Sequence, residues 1–475
     1  MVFCNRCAVV RKYGAVLFGA VFLAALFLGF FAPCGAADAA QDLVMKIGVA
    51  ENVASGKLLG SGLALQDAKG TKLSVGNGAT VTAAGGTVTV GNKRLALPVQ
   101  VRAKSGLGWD KTRYRGSLTI VPGQKGITVV NAVDLESYVR GILKMEMNEA
   151  WPMEALKAQA ILARTYAVKN RGRFAARGFD LCATQNSQVY RGVNAEHPRT
   201  DSAVAATQGQ ILAWNGAPAD IFYHSDSGGA TADIAHVWGG TRPYLQVRPE
   251  RIAYTSPNSS WQLALSAAQV GRIMGKMGQD VGTVRGVEVC QKDSAGRAVM
   301  LRVRGDRGAA EVSAHAFRMA AGSSTVKSTN FTVAGAGAGT PGSTAAPVPT
   351  PAKAEAPMPS FGGGEDPLVE MTRADIFTKD ELFDMLMNPG KREEYLKIGL
   401  QRMAGKAAPA TPPTSTPPRP ATPAPTTSYG SFVFRGKGWG HGVGMSQWGA
   451  KAMADAGMDC AAILEHYFPG TQIAK

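Results

Sequence analysis

Apolar and polar positions alternate with a period near two through much of residues 45–133. Ala79-Thr80-Val81-Thr82 and Thr87-Val88-Thr89-Val90 flank Gly85-Gly86, which predicts a β-hairpin, and further strands are expected over 116–121 and 127–130. At Trp151 the period changes. Pro152 to Ala167 is built almost wholly of good helix formers, with proline at the first turn where helices tolerate it, so a helix is expected over 152–169. Its apolar residues nearly surround it, which places it inside a core. Residues 180–333 mix strands and turns with a helix near 266–277, and a hairpin is expected where Val287–Cys290 and Val299–Val303 flank Ser294-Ala295-Gly296. The expected fold class is α+β, with a β-rich N-terminal part, a central buried helix and a mixed sheet.

Two stretches break the pattern. Residues 334–367 are mainly Ala, Gly, Pro and Thr, and residues 404–430 mainly Pro, Thr and Ala, compositions too poor in large apolar side chains to hold a core. Between them lies a helical island, 374–403, opened by the capping box Thr378-x-x-Glu381 and interrupted at Asn388-Pro389-Gly390. From Gly436 to Gly444 glycine occupies every second position. In a strand this leaves one face bare for close approach of a ligand or backbone; the other reading is tight packing or a set of bends. Helices are expected from Ser446 to Gly457 and from Asp459 to Phe468. The chain thus divides into 1–40, a first folded part at 41–333, a low-complexity insertion at 334–430 and a C-terminal folded part at 431–475.

The N-terminus bears on compartment. Arg6, Arg11 and Lys12 precede an apolar run from Ala15 to Ala32, followed by small residues from Gly35 to Ala40. That is the layout of an export signal, or, if retained, of a membrane anchor. The 51 Lys and Arg against 35 Asp and Glu give a net charge of +16, which calls for a polyanionic partner, and 45% hydrophobic residues exclude wholesale disorder. Export removes nucleic acid from the partners and leaves an anionic envelope. Beyond the leader the cysteines are Cys182, Cys290 and Cys460, too few and too scattered for a disulfide framework, whether one pair bridges or all three stay thiols. The six histidines form no His-Glu-x-x-His motif and no zinc-finger spacing, and spacing does not decide whether Cys182 and His224 meet at a metal. Asp226-Ser227-Gly228-Gly229 matches the nucleophile region of trypsin-like proteases without the His and Asp segments such a triad needs.

Carboxylates are the better candidates for chemistry. Glu146 stands between two methionines in Lys144-Met145-Glu146-Met147-Asn148-Glu149. In apolar surroundings its pKa rises, which suits proton donation near neutrality; the alternative is a helix-entry carboxylate paired with Lys or Arg. Asp134, Glu136, Glu149 and Glu154 compete for the role.

Several blocks, in order, resemble the stage II sporulation protein D (SpoIID)/LytB family. They are Val130 to Val139, Met145-Glu146-Met147, Trp151-Pro152-x-Glu154-Ala155-Leu156-Lys157-Ala158-Gln159-Ala160, Ala163-Arg164-Thr165-Tyr166, Gln188-Val189-Tyr190-x-Gly192, Tyr223-His224-Ser225-x-Ser227-Gly228-Gly229 and Gly438 to Ala450. The resemblance spans about 45–333 and 431–473. It implies an exported peptidoglycan lytic transglycosylase that cleaves the MurNAc–GlcNAc bond and leaves 1,6-anhydroMurNAc ends, or a non-catalytic wall-binding enhancer of an N-acetylmuramoyl-L-alanine amidase. Carried over by motif, the catalytic acid is Glu146. One carboxyl group suffices for that chemistry because the sugar's own C6 hydroxyl replaces the second carboxylate of ordinary glycosidases. Lys157, Gln159 and Arg164 are expected to bind substrate, with a cation on the lactyl carboxylate. Tyr223, His224, Ser225, Ser227, His441, Ser446 and Gln447 are expected to line the same cleft, and Trp439 or Trp448 to stack on a sugar or pack in the core. Family members can carry a second Cys, often beside a His, where this chain has Asn186 and Ser187 after Cys182, so no metal and no other cofactor is expected. The partners implied are glycan strands and, for the enhancer, an amidase. Membrane contact is expected through the N-terminal segment alone.

Overall fold

The computed structural model describes residues 43–335 and 430–475. The N-terminal apolar run and the helical island at 374–403 lie outside the described residues. The fold is α+β and β-rich.

Residues 44–134 form most of an eleven-stranded sheet. Val44–Val53 pairs antiparallel with Gly126–Asp134, and Ser55–Gln66 with Lys72–Ala83; Lys72–Ala83 and Thr87–Val90 make the expected hairpin. The short strand Leu181–Cys182 adds in parallel beside Val44–Val53. The helix Leu135–Glu146 (α1) follows at once, with Asp134 as N-cap accepting from the Ser137 N–H at 2.8 Å. The sequence pattern assigned no helix here. Leu135, Tyr138, Val139, Ile142 and Leu143 are nevertheless spaced as one helical face and are all buried. The helix Met153–Lys169 (α2) lies where expected, with Pro152 as N-cap, and Ala155, Leu156, Ala158 to Thr165 and Ala167 are buried around its circumference.

Beside a small cluster of Val130, Phe179 and Cys182, two large hydrophobic clusters form among the described residues. The larger unites the sheet, α1, α2 and the C-terminal residues Val443, Met445, Met453, Ile463 and Phe468. The smaller is built from Trp261, Val270, Leu301, Phe317, Phe331, Phe432 and Phe434, on two three-stranded antiparallel sheets and the helices Ala267–Lys276 and Ala314–Ala321. Here lie the expected helix, with a Ser266–Gln269 capping box, and the expected hairpin, Val284–Lys292 with Ala298–Gly305. After residue 430 the chain first completes the smaller cluster through Ser431–Gly436, then returns to the larger one, where Met445–Ser446 pairs in parallel with Tyr223–His224.

The glycine-rich segment between these strands takes the second of its two readings. Gly438, Gly440, Gly442 and Gly444 have φ of +76°, +125°, +87° and +74°, so the backbone runs as bends and not as a strand. At Gly440 a Cβ would stand 2.6 Å from the Cβ of His224. Both the conformation and the close approach require glycine there.

Candidate active site

Glu146 is the last residue of α1, at the point where the chain turns toward α2. Desolvation of the carboxyl dominates its titration and pushes the pKa up to about 7; the Val189 backbone N–H and the Tyr223 hydroxyl act against this as hydrogen-bond donors. The residue keeps partial contact with solvent, and no cation contributes to its shift among the described residues. The ion-paired alternative is therefore not what the fold builds: Lys144 pairs instead with Glu149, at 3.8 Å.

The block Gln188-Val189-Tyr190 is held against α1 by close packing. A Cβ on Gly141 would fall 2.3 Å from the Tyr190 ring, so only glycine lets the ring lie on the helix. The Tyr190 hydroxyl donates to Asn131 Oδ1 at 2.8 Å, and its ring packs on Tyr138 at 5.0 Å between centroids. Gln188, 1% exposed, accepts from the Tyr138 hydroxyl at 3.3 Å and donates to the Ala163 carbonyl at 3.2 Å and to the Tyr223 hydroxyl at 3.3 Å. Gln188 and the Val189 N–H were within the motif blocks, yet residue types alone gave them no role.

The fold distributes the other candidates over several places. Tyr223 meets Glu146. Its neighbour His224 forms a hydrogen bond between Nδ1 and the Val443 carbonyl at 3.2 Å, and its ring is tilted against that of His441, 5.5 Å between centroids. His441 accepts from the Val443 N–H at 3.1 Å and bonds the Tyr223 backbone, so it braces the strand that carries Tyr223. Burial holds it neutral, its pKa pushed down to about 3, and depresses His224 likewise. Ser227 and Ser446 belong to a buried network unforeseen in the sequence. The Ser227 hydroxyl donates to Glu250, which also accepts from Tyr467 at 2.6 Å, while Ser446 caps the helix Gln447–Asp455 and lies 3.2 Å from the Tyr254 hydroxyl. Asp226 accepts from Tyr254 at 2.8 Å and from the Ser256 hydroxyl. Desolvation raises the Glu250 pKa as well.

Arg164 is wholly buried and forks onto Glu136 at 2.7 and 2.8 Å, with a third bond to the Gln210 carbonyl at 2.9 Å; it offers no free face to a ligand. Gln159 and Gln447 are buried together at 3.3 Å, tying α2 to the C-terminal helix. Lys157 pairs with Glu154 at 2.7 Å, whose other oxygen accepts from the Cys460 N–H. The Ser225 carbonyl accepts from the Trp448 N–H at 3.0 Å, and the half-buried Trp448 meets Trp151 edge to face at 5.0 Å, giving an aromatic surface on the segment that follows Glu146. Trp439 packs instead under the Lys327 ammonium, 5.3 Å from the ring centre.

Cys182, Cys290 and Cys460 are free thiols, Cys290 exposed. The Cys182 sulfur lies 3.2 Å from the Thr184 hydroxyl and 3.3 Å from that of Ser187, and among the described residues no three His, Cys, Asp or Glu are grouped to hold a metal. A cavity of about 800 Å³ lies between Ala230, Gln262, Asn330, Arg435 and Lys437, and Glu146 does not line it. Since no carboxyl lines it, the desolvated acid at Glu146 is the stronger sign of chemistry.

Comparison with known proteins follows the same ground. Residues 123–214, which hold α1, α2, Glu146 and Gln188, match the model of the stage II sporulation protein family, SpoIID. An uncharacterised protein of Brachyspira hyodysenteriae is 28% identical over 271 residues, covering 52% of this chain and 69% of that protein. The amidase enhancer of Bacillus subtilis is 27% identical over 345 residues, 71% of this chain and 40% of that protein. Stage II sporulation protein D of Bacillus subtilis is 36% identical over 132 residues, 25% of this chain and 38% of that protein. The chain therefore matches less than half the length of the two relatives named for a process.

Proposed function

We propose that this chain, whose residues 123–214 are a SpoIID-family domain, is an exported peptidoglycan lytic transglycosylase with Glu146 as its acid and base. The observation that carries this reading is the state of Glu146: a desolvated carboxyl with a pKa pushed up to about 7, held by two neutral donors and, among the described residues, by no cation. Such a group is part protonated at neutral pH. It can give its proton to the glycosidic oxygen as the MurNAc–GlcNAc bond breaks, then take the proton of the muramic C6 hydroxyl as the 1,6-anhydro ring closes. The proton returns to where it began, and no water or second carboxylate is consumed. The partner is a glycan strand of the envelope, with Trp151 and Trp448 as a surface for a sugar face.

Digestion of peptide-free glycan by wild type and Glu146→Gln, followed by mass spectrometry, tests the reading. Anhydromuramic ends are expected from the wild type and at least about 10²-fold fewer from the variant, the scale of a lost general acid. The similarity to the amidase enhancer over 71% of the chain supports a second reading, in which the protein binds wall and stimulates an amidase. Absence of cleavage by either form, with stimulation of an added amidase by both, would establish that role and reject the enzyme.

A further inference from the structure

The direction of the hydrogen bonds around Gln188 is fixed by its neighbours. Its Nε2 faces the Ala163 carbonyl, which can only accept, so the amide cannot be flipped. The second Nε2 hydrogen then points to the Tyr223 oxygen, and Oε1 accepts from Tyr138. Both donor hydrogens of the amide are engaged, and its oxygen accepts from Tyr138. Tyr223 receives a hydrogen from Gln188, and its own hydroxyl proton is left to the Glu146 carboxylate. A hydroxyl that accepts one hydrogen bond is also a stronger donor of the next.

We propose that Gln188 is a positioning residue for Glu146, holding Tyr223 permanently as a donor to the acid so that its ionised form can be occupied in mid-reaction without a cation. The role in catalysis rests on the function proposed above; the positioning itself does not. A lytic cycle needs Glu146 both protonated and ionised. A desolvated carboxyl with no donors would resist ionisation, whereas one held by a cation would be too weak a base. The groups that face it are the hydroxyls of Tyr223 and Tyr138, with Tyr166 beyond them on α2; Lys144 and Glu149 on its own segment pair with each other. Gln188 is itself out of solvent, which keeps water from replacing the amide.

The test follows the Glu146 carboxyl by carbon-detected NMR in the full chain labelled at glutamate, the signal being assigned by its loss in Glu146→Gln. Gln188→Glu replaces a donor by an acceptor, and Tyr223 is expected to turn to the new carboxylate, moving the Glu146 midpoint up by about one pH unit or more. Gln188→Met removes the donor at similar volume and is expected to move it up by less. Both shifts should shrink by more than half in a Tyr223→Phe background, because the amide acts through that hydroxyl. Equal shifts with and without the Tyr223 hydroxyl, or no shift in either Gln188 variant, would overturn the proposal. Should Gln188→Glu fail to fold, the methionine pair decides. Glycan cleavage separates this from the functional reading: midpoints that move as expected in a protein that cuts no glycan leave the positioning intact and remove the enzyme. Cleavage that depends on Glu146 with an unmoved midpoint does the reverse.

Discussion

Glu146 is a costly residue for the fold to keep. Its pKa of about 7 in the native state lies above the value of 4.5 usual for glutamate, so the folded protein binds this proton more tightly than the unfolded chain does. The stability tied to the protonated form is fully present below about pH 4.5 and is lost as pH rises through about 7. Glu146→Gln, neutral at every pH, should therefore abolish cleavage yet make the protein more stable at pH 8.5 by about 1–3 kcal/mol, with little difference at pH 4.5. Urea unfolding at the two pH values measures this; equal stabilisation at both would mean the carboxyl is not desolvated. The apolar flanks Met145 and Met147 admitted a raised pKa at Glu146 without deciding against an ion pair, and only the resemblance over several motif blocks singled the residue out. Arg164 was not legible in the same way. A basic residue on a buried helix reads as a substrate clamp until the fold brings Glu136, 28 positions earlier, to within 2.7 Å. Removing either partner would strand a buried charge, so the pair has a structural role in holding α1 against α2.

Elements with a strong period were readable, and those defined by a partner far along the chain were not. The hairpin after Lys72 and α2 follow from local pattern, whereas α1 was hidden because its helical period begins in the same stretch where the apolar run of Gly126–Asp134 ends. The glycine-rich segment was ambiguous for a related reason: alternation states that side chains are absent but not whether the backbone is straight. Contact with the Phe222–Gly228 segment decides for bends. Phe331–Gly335 and Ser431–Gly436 are antiparallel neighbours, with Gly335 opposite Phe432, so the two strands adjoin although 95 positions separate Gly335 from Gly430. Replacing 337–429 with a short Asn-Gly turn should preserve a cooperative unfolding transition and lose no stability, since a shorter closure costs less entropy. Differential scanning calorimetry checks it. A lowered or split transition would show that the insertion contributes to one of the two clusters.

At the scale of the molecule, the two large hydrophobic clusters are joined through contacts to residues 222–230, the segment that carries Tyr223. Ser431–Gly436 belongs to the smaller cluster, the following bends brace His224, and Met445–Ser446 pairs with the strand of Tyr223. Arg297, from the hairpin of the smaller cluster, reaches back to the carbonyls of Ser227 and Ala230. The donors to Glu146 are neutral and its field comes from desolvation, so the net charge of +16 has no direct part at the acid. Charge instead acts over distance, on encounter with an anionic polymer, and salt at physiological strength screens it beyond about 8 Å. Binding to insoluble wall should accordingly weaken by at least about tenfold between 20 mM and 500 mM salt, as followed by co-sedimentation. Cleavage of a short, saturating glycan fragment should change by less than about twofold, because its rate depends on a desolvated carboxyl and neutral hydrogen bonds that salt does not reach. A turnover of the short fragment that falls in step with wall binding would place cations inside the reactive site, and would revise the view that Glu146 works without one.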